Sequence, residues 1–181
     1  MRLYVLHLIG PTCSGKSTLY TVLADRLPDV YLLSYDRIKW QVAGYQRDTH
    51  RKLIKELAFG FFELVCQKHI SVLLDMSLTD EAEYGRATEI AKRYGYSFIS
   101  VEFTAPRDVL LDRFRSRVED AKRMGTKISV TSEDIFLNEL SKRPFVPPHT
   151  PVFDTSKVGF VQFFLAFKSN IWDNKLSFLI S

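Results

Sequence analysis

The chain has 181 residues, the size of one globular domain, and its 46% hydrophobic and 25% charged residues exclude a disordered or fibrous protein. A net charge of +4 suits an anionic ligand such as a phosphate compound but is too small to indicate a dedicated nucleic-acid binder. Two cysteines far apart, Cys13 and Cys66, predict a reduced, cytoplasmic protein and exclude a secreted disulfide scaffold.

Short apolar runs typical of buried strands alternate with segments of helical period along the chain. The runs cover residues 3–9, 30–33, 72–74, 98–103 and 152–153. The helical segments between them have these apolar sets: Leu53, Leu57, Phe61 and Leu64; Ala87, Ile90, Ala91 and Tyr94; Leu110, Phe114 and Val118. This alternation predicts a three-layer α/β/α fold, a parallel sheet covered by helices on both faces. No linker divides the chain, so residues 1–181 are predicted to form one domain.

The longest apolar stretch lies near the C-terminal end, at residues 158–167. It is far shorter than the ~20 residues that cross a bilayer. Its phenylalanines at 160, 163, 164 and 167 follow the spacing of one helical face, which favours a core-facing helix over membrane attachment. We therefore expect no membrane partner.

A glycine-rich motif follows the first predicted strand. Residues 10–17 read GPTCSGKS and match G-x-x-x-x-G-K-[ST] at every fixed position. In such a loop, successive backbone N–H groups turn inward to hold phosphate oxygens, and the following helix N-terminus favours negative charge. The same helix N-terminus would lower the pKa of Cys13. A simple glycine-rich turn is the alternative, and it requires a chance match.

The motif predicts ATP and Mg²⁺ as ligands. Lys16 is placed to reach the β- and γ-phosphates as a catalytic group, and the Ser17 hydroxyl to ligate Mg²⁺. The predicted nucleotide-binding residues are Gly10, Pro11, Thr12, Cys13, Ser14, Gly15, Lys16, Ser17 and Thr18.

Three stretches together resemble the small P-loop kinases. They are residues 10–18, the SYDR sequence at 34–37 and the DRFRSR sequence at 112–117. The similarity is greatest to the branch that holds polynucleotide 5′-kinase domains, zeta-toxin-like kinases and small-metabolite kinases. It covers most of the chain in layout and is specific at the P-loop. The resemblance implies about five parallel strands in the order 2-3-1-4-5 and a basic lid over roughly residues 113–130.

Asp36 comes just after the second predicted strand. Ligands of open α/β sheets gather at the carboxyl ends of the strands, which places Asp36 beside the P-loop. There its carboxylate could accept a proton from an attacking hydroxyl or hold a Mg²⁺-bound water, and the resemblance implies a catalytic base. The alternative is an N-cap for a helix that begins at Arg37. Arg37 and Lys39 are then either clamps for an anionic substrate or exposed surface charges.

Asp75 ends the apolar run 72–74 in the manner of a Walker B strand. The same rule places it at the edge of the sheet with Asp36 and Ser17, where it could organise Mg²⁺ or bind a substrate group. Its alternative role is that of a loop or capping carboxylate.

Arg113 and Arg117 are four residues apart and share one helix face. Residues 119–129 are polar and basic with Gly125 in the middle, which indicates a loop or flap. Two arginines beside such a loop predict a catalytic lid that closes over ATP, because guanidinium groups bind phosphate oxygens in two-pronged fashion. A solvated helix face is the alternative.

The sequence therefore favours a kinase that transfers the γ-phosphoryl group of MgATP to a hydroxyl or phosphate of a small-molecule or nucleotide acceptor. One alternative is a 5′-hydroxyl polynucleotide kinase, for which the aromatic and basic residues between Trp40 and Arg51 are the suggestive cluster. Another is a nucleotide-dependent switch or NTPase. It is disfavoured because no glycine follows Asp75 at D-x-x-G spacing, and Asn174-Lys175 lacks the aspartate two positions later that reads guanine.

Overall fold

Five parallel strands form a single sheet in the order β2-β3-β1-β4-β5. The computed structural model describes residues 3–24, 26, 29–142, 145–159 and 162–163. The strands are β1 Tyr4–Ile9, β2 Val30–Ser34, β3 Ser71–Asp75, β4 Ser97–Thr104 and β5 Val152–Asp154. All five coincide with the predicted runs to within one residue at either end, and the order 2-3-1-4-5 is confirmed.

Helices cover both faces of this sheet, which confirms the three-layer class. They are α1 Lys16–Ala24, α2 Tyr35–Lys39, α3 Arg47–Gln67, α4 Glu81–Arg93, α5 Arg107–Met124 and α6 Glu133–Ser141. Along β1 the side chains alternate, so that Val5 packs in the cluster under α3 and α4 while Leu6 and Leu8 pack with α1. Across the described ranges no helix is long and apolar enough to cross a membrane. Of the apolar stretch 158–167, Phe163 is buried, and residues 160–161 and 164–167 lie outside the described residues.

The structure corrects the apolar face of α3. The set that the sequence period singled out lies on the outer side of the helix, with exposed fractions between 40% and 49%: Leu53, Leu57, Phe61 and Leu64. The core side is a second set: Ile54, Ala58, Phe59, Phe62, Val65 and Cys66. Both sets have helical spacing and differ by one or two positions, so the period alone does not decide between them. Packing against β2, β3 and α4 selects the second set.

Adjacent phenylalanines on α3 give a matched test of this face. Phe62 is fully buried, whereas Phe61 is 42% exposed. We expect Phe62→Ala to lower the free energy of unfolding by about 3–5 kcal/mol, because it opens a cavity in the core. Phe61→Ala should change it by less than about 1 kcal/mol. Urea unfolding of the two variants measures both values, and equal losses would contradict the assigned face.

β1 places a buried histidine, His7, in the apolar core. His7 is 2% exposed, and its Nδ1 lies 3.2 Å from Ser100 Oγ and its Nε2 3.1 Å from the Met76 carbonyl. The rings of Tyr84 and Phe98 flank it. Burial lowers the pKa of His7 from 6.5 to about 4, although the bond to Met76 opposes the shift, so the imidazole is neutral at physiological pH.

This neutral histidine makes stability depend on pH. As the pH falls from 6.5 toward 4, the unfolded chain protonates His7 and the folded chain does not, so the free energy of unfolding falls. At about pH 4.5 the loss is about 2–3 kcal/mol, from about 1.4 kcal/mol per pKa unit. We expect His7→Gln to remove that part of the decline, measured by urea unfolding at about pH 7 and about pH 4.5. The same slope in both proteins would show that other groups set the pH dependence.

Candidate active site at the carboxyl edge of the sheet

The P-loop, Asp36 and Asp75 meet at one edge of the sheet. β1 leads into the loop at Gly10, while β2 ends at Ser34 beside Asp75, its registered partner on β3. Because these strands are parallel, their carboxyl ends lie on the same side. The structure thus brings together the residues that the strand-end rule predicted.

Gly10 turns the chain from β1 into the P-loop at a position that has no room for a side chain. Its φ is 143°, and a Cβ added there would lie 2.2 Å from the Phe103 carbonyl oxygen of β4. A side chain of any size is therefore excluded. Cys13 also has a positive φ of 68°, an unfavourable conformation for a residue with a Cβ. The loop ends where the Leu19 N–H donates to the Gly15 carbonyl at 3.0 Å and α1 begins.

The Lys16 side chain folds back on the P-loop and hydrogen-bonds residues of the loop itself. Its ammonium donates to the carbonyl oxygens of Gly10 at 2.7 Å and Pro11 at 2.8 Å, and to Ser14 Oγ at 3.4 Å. Burial lowers the pKa of Lys16 and raises the pKa of Asp75, while their mutual attraction opposes both shifts. Asp36 also attracts the ammonium. The Lys16 ammonium therefore shares this edge with two carboxylates.

Asp36 is held by two groups that the sequence did not link to it. Lys39 Nζ lies 2.6 Å from Asp36 Oδ1 and 2.5 Å from Ser129 Oγ, and Ser129 Oγ donates to Asp36 Oδ2 at 3.3 Å. Lys39 is 6% exposed, whereas the Asp36 side chain is 53% exposed. The helix-cap alternative for Asp36 is wrong, since α2 begins at Tyr35 and its N-cap is Ser34.

Arg37 and Lys39 are not equivalent, although the sequence treated them alike. The Arg37 guanidinium lies 4.6 Å above the Tyr20 ring and is exposed, so it is available to a ligand. Lys39 is buried in its pair with Asp36 and Ser129, so it is not an exposed surface charge.

The predicted lid, residues 113–130, is more helical than expected. The predicted loop at 119–129 is wrong in its first half, because α5 continues to Met124 and ends at Gly125, whose φ is 63°. Residues 119–124 include good helix formers, and Ala121 is buried. Beyond the loop, α6 packs back on α5 through Phe114 and Phe136, whose rings stack at 4.3 Å.

Arg113 anchors the lid to the rest of the site. Its guanidinium donates to Thr155 Oγ1 at 2.7 Å, to the Thr155 carbonyl at 3.0 Å and to the Cys13 carbonyl at 3.5 Å. Arg117 lies one turn further on, near enough to Cys13 for its positive charge to favour the thiolate form of that side chain. The expected lowering of the Cys13 pKa is wrong. Burial raises it, despite the opposing influence of Arg117, Lys16 and Arg113.

The oxygen donors at this edge suit Mg²⁺. Ser17 is exposed in the first turn of α1, and Asp75 closes β3. A hydroxyl and a carboxylate are hard oxygen ligands, and Mg²⁺ characteristically uses one or two protein groups with phosphates and waters. Within the described ranges no three His, Cys, Asp or Glu residues cluster as metal ligands. The site therefore fits a metal carried largely by a phosphate ligand.

Sequence reasoning did not pair Ser129 with Asp36 or Thr155 with Arg113. Ser129 is 93 residues from Asp36, and Thr155 is 42 residues from Arg113. Hydroxyl residues in loops carry no motif, so only the fold brings them to the site. The position of Thr155 directly after β5 was a signal, since strand ends gather at this edge.

Comparison with known sequences places the chain in a family. The profile of a family described as an AAA domain matches residues 5–134, well over half of the chain. The chain belongs to this family. No curated protein matches its sequence.

Solved structures show the same fold. A protein from Chloroflexus aurantiacus assigned as a kinase is 19% identical, with a TM-score of 0.72, and the match covers 93% of this chain and 98% of that one. The APS kinase CysC of Mycobacterium tuberculosis, solved with AMPPNP and APS, is 14% identical with a TM-score of 0.62 and coverages of 94% and 98%. A chain of the Pnkp1/Rnl/Hen1 RNA repair complex is 16% identical with a TM-score of 0.61. That match covers 77% of this chain and 44% of the other. The expected P-loop kinase fold is confirmed.

Two glycines test the role of the P-loop turn. Gly10→Ala forces a Cβ against the Phe103 carbonyl, so we expect it to weaken ATP binding by at least about tenfold, or about 1.4 kcal/mol. Gly60 lies within α3 with nothing near its missing Cβ, so Gly60→Ala should leave ATP binding unchanged and stabilise the fold by about 0.5–1 kcal/mol. Calorimetric titration with ATP and urea unfolding measure these effects. Unaltered ATP affinity in Gly10→Ala would contradict the assigned loop geometry.

Proposed function

We propose that the chain is an ATP-dependent phosphotransferase, moving the γ-phosphoryl group of MgATP to a hydroxyl or phosphate of a small-molecule or nucleotide acceptor. The supporting observation is the meeting of Lys16, Asp36 and Asp75 at the P-loop, next to two lid arginines. Phosphoryl transfer needs positioning and charge stabilisation more than covalent help, and this edge offers both.

The residues at the donor side have separable roles. The N–H groups of residues 13–18 hold phosphate oxygens at the start of α1. Lys16 neutralises the outer phosphates, and Ser17 and Asp75 would hold Mg²⁺, which would spread the charge of the transferring group. Arg113 fixes the lid against the Cys13 carbonyl, and Arg117 brings a second guanidinium to the same loop.

Asp36 acts on the acceptor. Its carboxylate is about half exposed, so a hydroxyl group from solvent can reach it. Lys39 holds one carboxylate oxygen and leaves the other to a weaker bond of 3.3 Å with Ser129. An acceptor hydroxyl can replace that weaker partner and lose its proton to Asp36 as it attacks.

The alternative of a 5′-hydroxyl polynucleotide kinase has partial support. Trp40, Tyr45 and His50 form a chain of neighbouring rings, and such rings can stack nucleic-acid bases. However, Arg47 at the same surface pairs with Glu139, which reduces its attraction for a nucleic-acid backbone. The ion pair of Arg47 with Glu139 therefore favours a small acceptor over a nucleic acid.

The deciding experiment is a transfer screen with labelled ATP. Acceptor pools of nucleosides, nucleoside monophosphates, sugars, antibiotics and oligonucleotides are tested for labelled product and for stimulated ADP release. We expect one small-molecule pool to stimulate release. Stimulation by oligonucleotides alone would favour the polynucleotide kinase. Constant release with every pool would contradict a kinase and favour an NTPase or switch.

The variant Asp36→Asn tests the acceptor role with that pool. We expect turnover to fall by about 10²–10⁴-fold while ATP affinity changes by less than about twofold, because a base acts on the acceptor. Glu89→Gln, which removes an exposed carboxylate from α4, is the matched control and should keep wild-type turnover. A loss smaller than about tenfold in Asp36→Asn would assign Asp36 a structural role.

A further inference from the structure

A cleft of about 330 Å³ separates the lid from the end of α2, and its lining includes Trp40, Lys122 and Lys127. We propose that this cleft is the acceptor subsite and that it takes a planar ring bearing an anionic group. The inference rests on the proposed function, because it names the class of acceptor for the same site.

The indole of Trp40 lines the cleft. Trp40 ends α2 and is 39% exposed. Lys39 Nζ lies 4.7 Å from the ring centroid, and Tyr45 meets the ring edge-on at 6.1 Å. These neighbours hold the ring in place, which reduces the entropy lost when a ligand stacks on it. A fixed, partly exposed indole is suited to a flat ring.

The charge of the cleft suits an anion. Lys122 and Lys127 are exposed, and in the described part of the chain neither forms an ion pair. Among the described residues, no carboxylate lines the cleft. The other lining residues are apolar or carry hydroxyl groups: Val118, Ala121, Thr126, Ile128 and Thr131. Two exposed ammonium groups that form no ion pair with the described residues attract an anionic ligand.

Lys39 connects this cleft to the reacting edge. Its ammonium contacts the Trp40 ring on one side and the Asp36 carboxylate on the other. A ring stacked on Trp40 therefore lies near the group that we propose as the base. The cleft volume is at the lower end of the range for ligand pockets, about 300–1,000 Å³, which suits one ring system with its substituents.

A second cavity lies along α5 and the loop that follows it. It has a volume of about 550 Å³, is lined by Arg113 and Arg117, and shares Ala121, Thr126 and Ile128 with the first cleft. The two spaces therefore adjoin, with Arg113 and Arg117 lining the larger and Trp40 lining the smaller. A transfer requires the donor and the acceptor to meet, which adjoining spaces permit.

Trp40 itself supplies the test. The chain has two tryptophans, Trp40 and Trp172, so fluorescence of a Trp172→Phe protein reports Trp40. With the P-loop saturated by MgADP, three probes are titrated: a nucleoside monophosphate, the same nucleoside, and ribose 5-phosphate. We expect the monophosphate to quench Trp40 and to bind at least about tenfold more tightly than either part alone, because ring and charge both contribute. Equal binding of ribose 5-phosphate, or no quenching by the monophosphate, would overturn the proposal.

Variants assign the two contributions. By calorimetry, Trp40→Leu should weaken binding of the monophosphate by about tenfold and Trp40→Phe by less, because stacking is worth about 1–3 kcal/mol per base. A double change of Lys122 and Lys127 to Ala should bring the monophosphate down to the affinity of the nucleoside. Lys92→Ala, on α4, is the matched control and should bind as the wild type does. Unchanged binding in Trp40→Leu would overturn the subsite, provided that thermal unfolding shows an intact fold.

The titration is independent of turnover. A protein that binds the monophosphate at Trp40 but transfers no phosphoryl group would contradict the proposed function and leave the cleft as a binding site for a ring with an anionic group. If the protein phosphorylates an acceptor that has no ring, and Trp40→Leu leaves binding of that acceptor unchanged, the proposed function is supported and the acceptor subsite at Trp40 is overturned.

Discussion

Parallel pairing of β1 with both of its neighbours is the constraint on which the site depends. β3 and β4 flank β1 and run in the same direction, so every strand delivers its following residues to one edge. The close approach of Gly10 to the Phe103 carbonyl then fixes how the chain leaves β1, because no side chain fits between them. The phosphate-binding turn is thereby built into the packing of β1 against β4. A change in either strand would move the loop and its helix together.

The predicted lid is attached to this edge from two directions. Arg113 ties α5 to Thr155 after β5 and to the carbonyl of Cys13, while Ser129 ties the loop after α5 to Asp36 and Lys39 beyond β2. The two attachments lie on opposite sides of the sheet order. Because one element connects them, a shift of the lid alters both the arginines at the P-loop and the partners of Asp36. The contacts of Arg113 at Cys13 and those of Ser129 at Asp36 are therefore coupled mechanically.

The fold and the centre of the site were predictable because their determinants are local. Strand runs, the GPTCSGKS motif and the strand-end positions of Asp36 and Asp75 are all read within a few residues. The core face of α3 was not predictable, because that helix is apolar on two sides and only its packing on the sheet distinguishes the two sides. The bond between Lys39 and Ser129 joins residues 90 positions apart, and neither belongs to a motif. Such contacts follow from topology and not from sequence spacing.

Burial at this edge favours a ligand that carries charge of both signs. It lowers the pKa of Lys16 and raises that of Asp75, so each charged form is penalised in the protein alone and is only partly supported by the other. A phosphate group on the loop favours the ammonium form of Lys16, and a divalent cation favours the carboxylate form of Asp75. A metal–nucleotide complex supplies both at once, and each part offsets a different penalty. Burial at the sheet edge removes water from these two side chains, and a metal–nucleotide complex can replace the water with a phosphate and a cation.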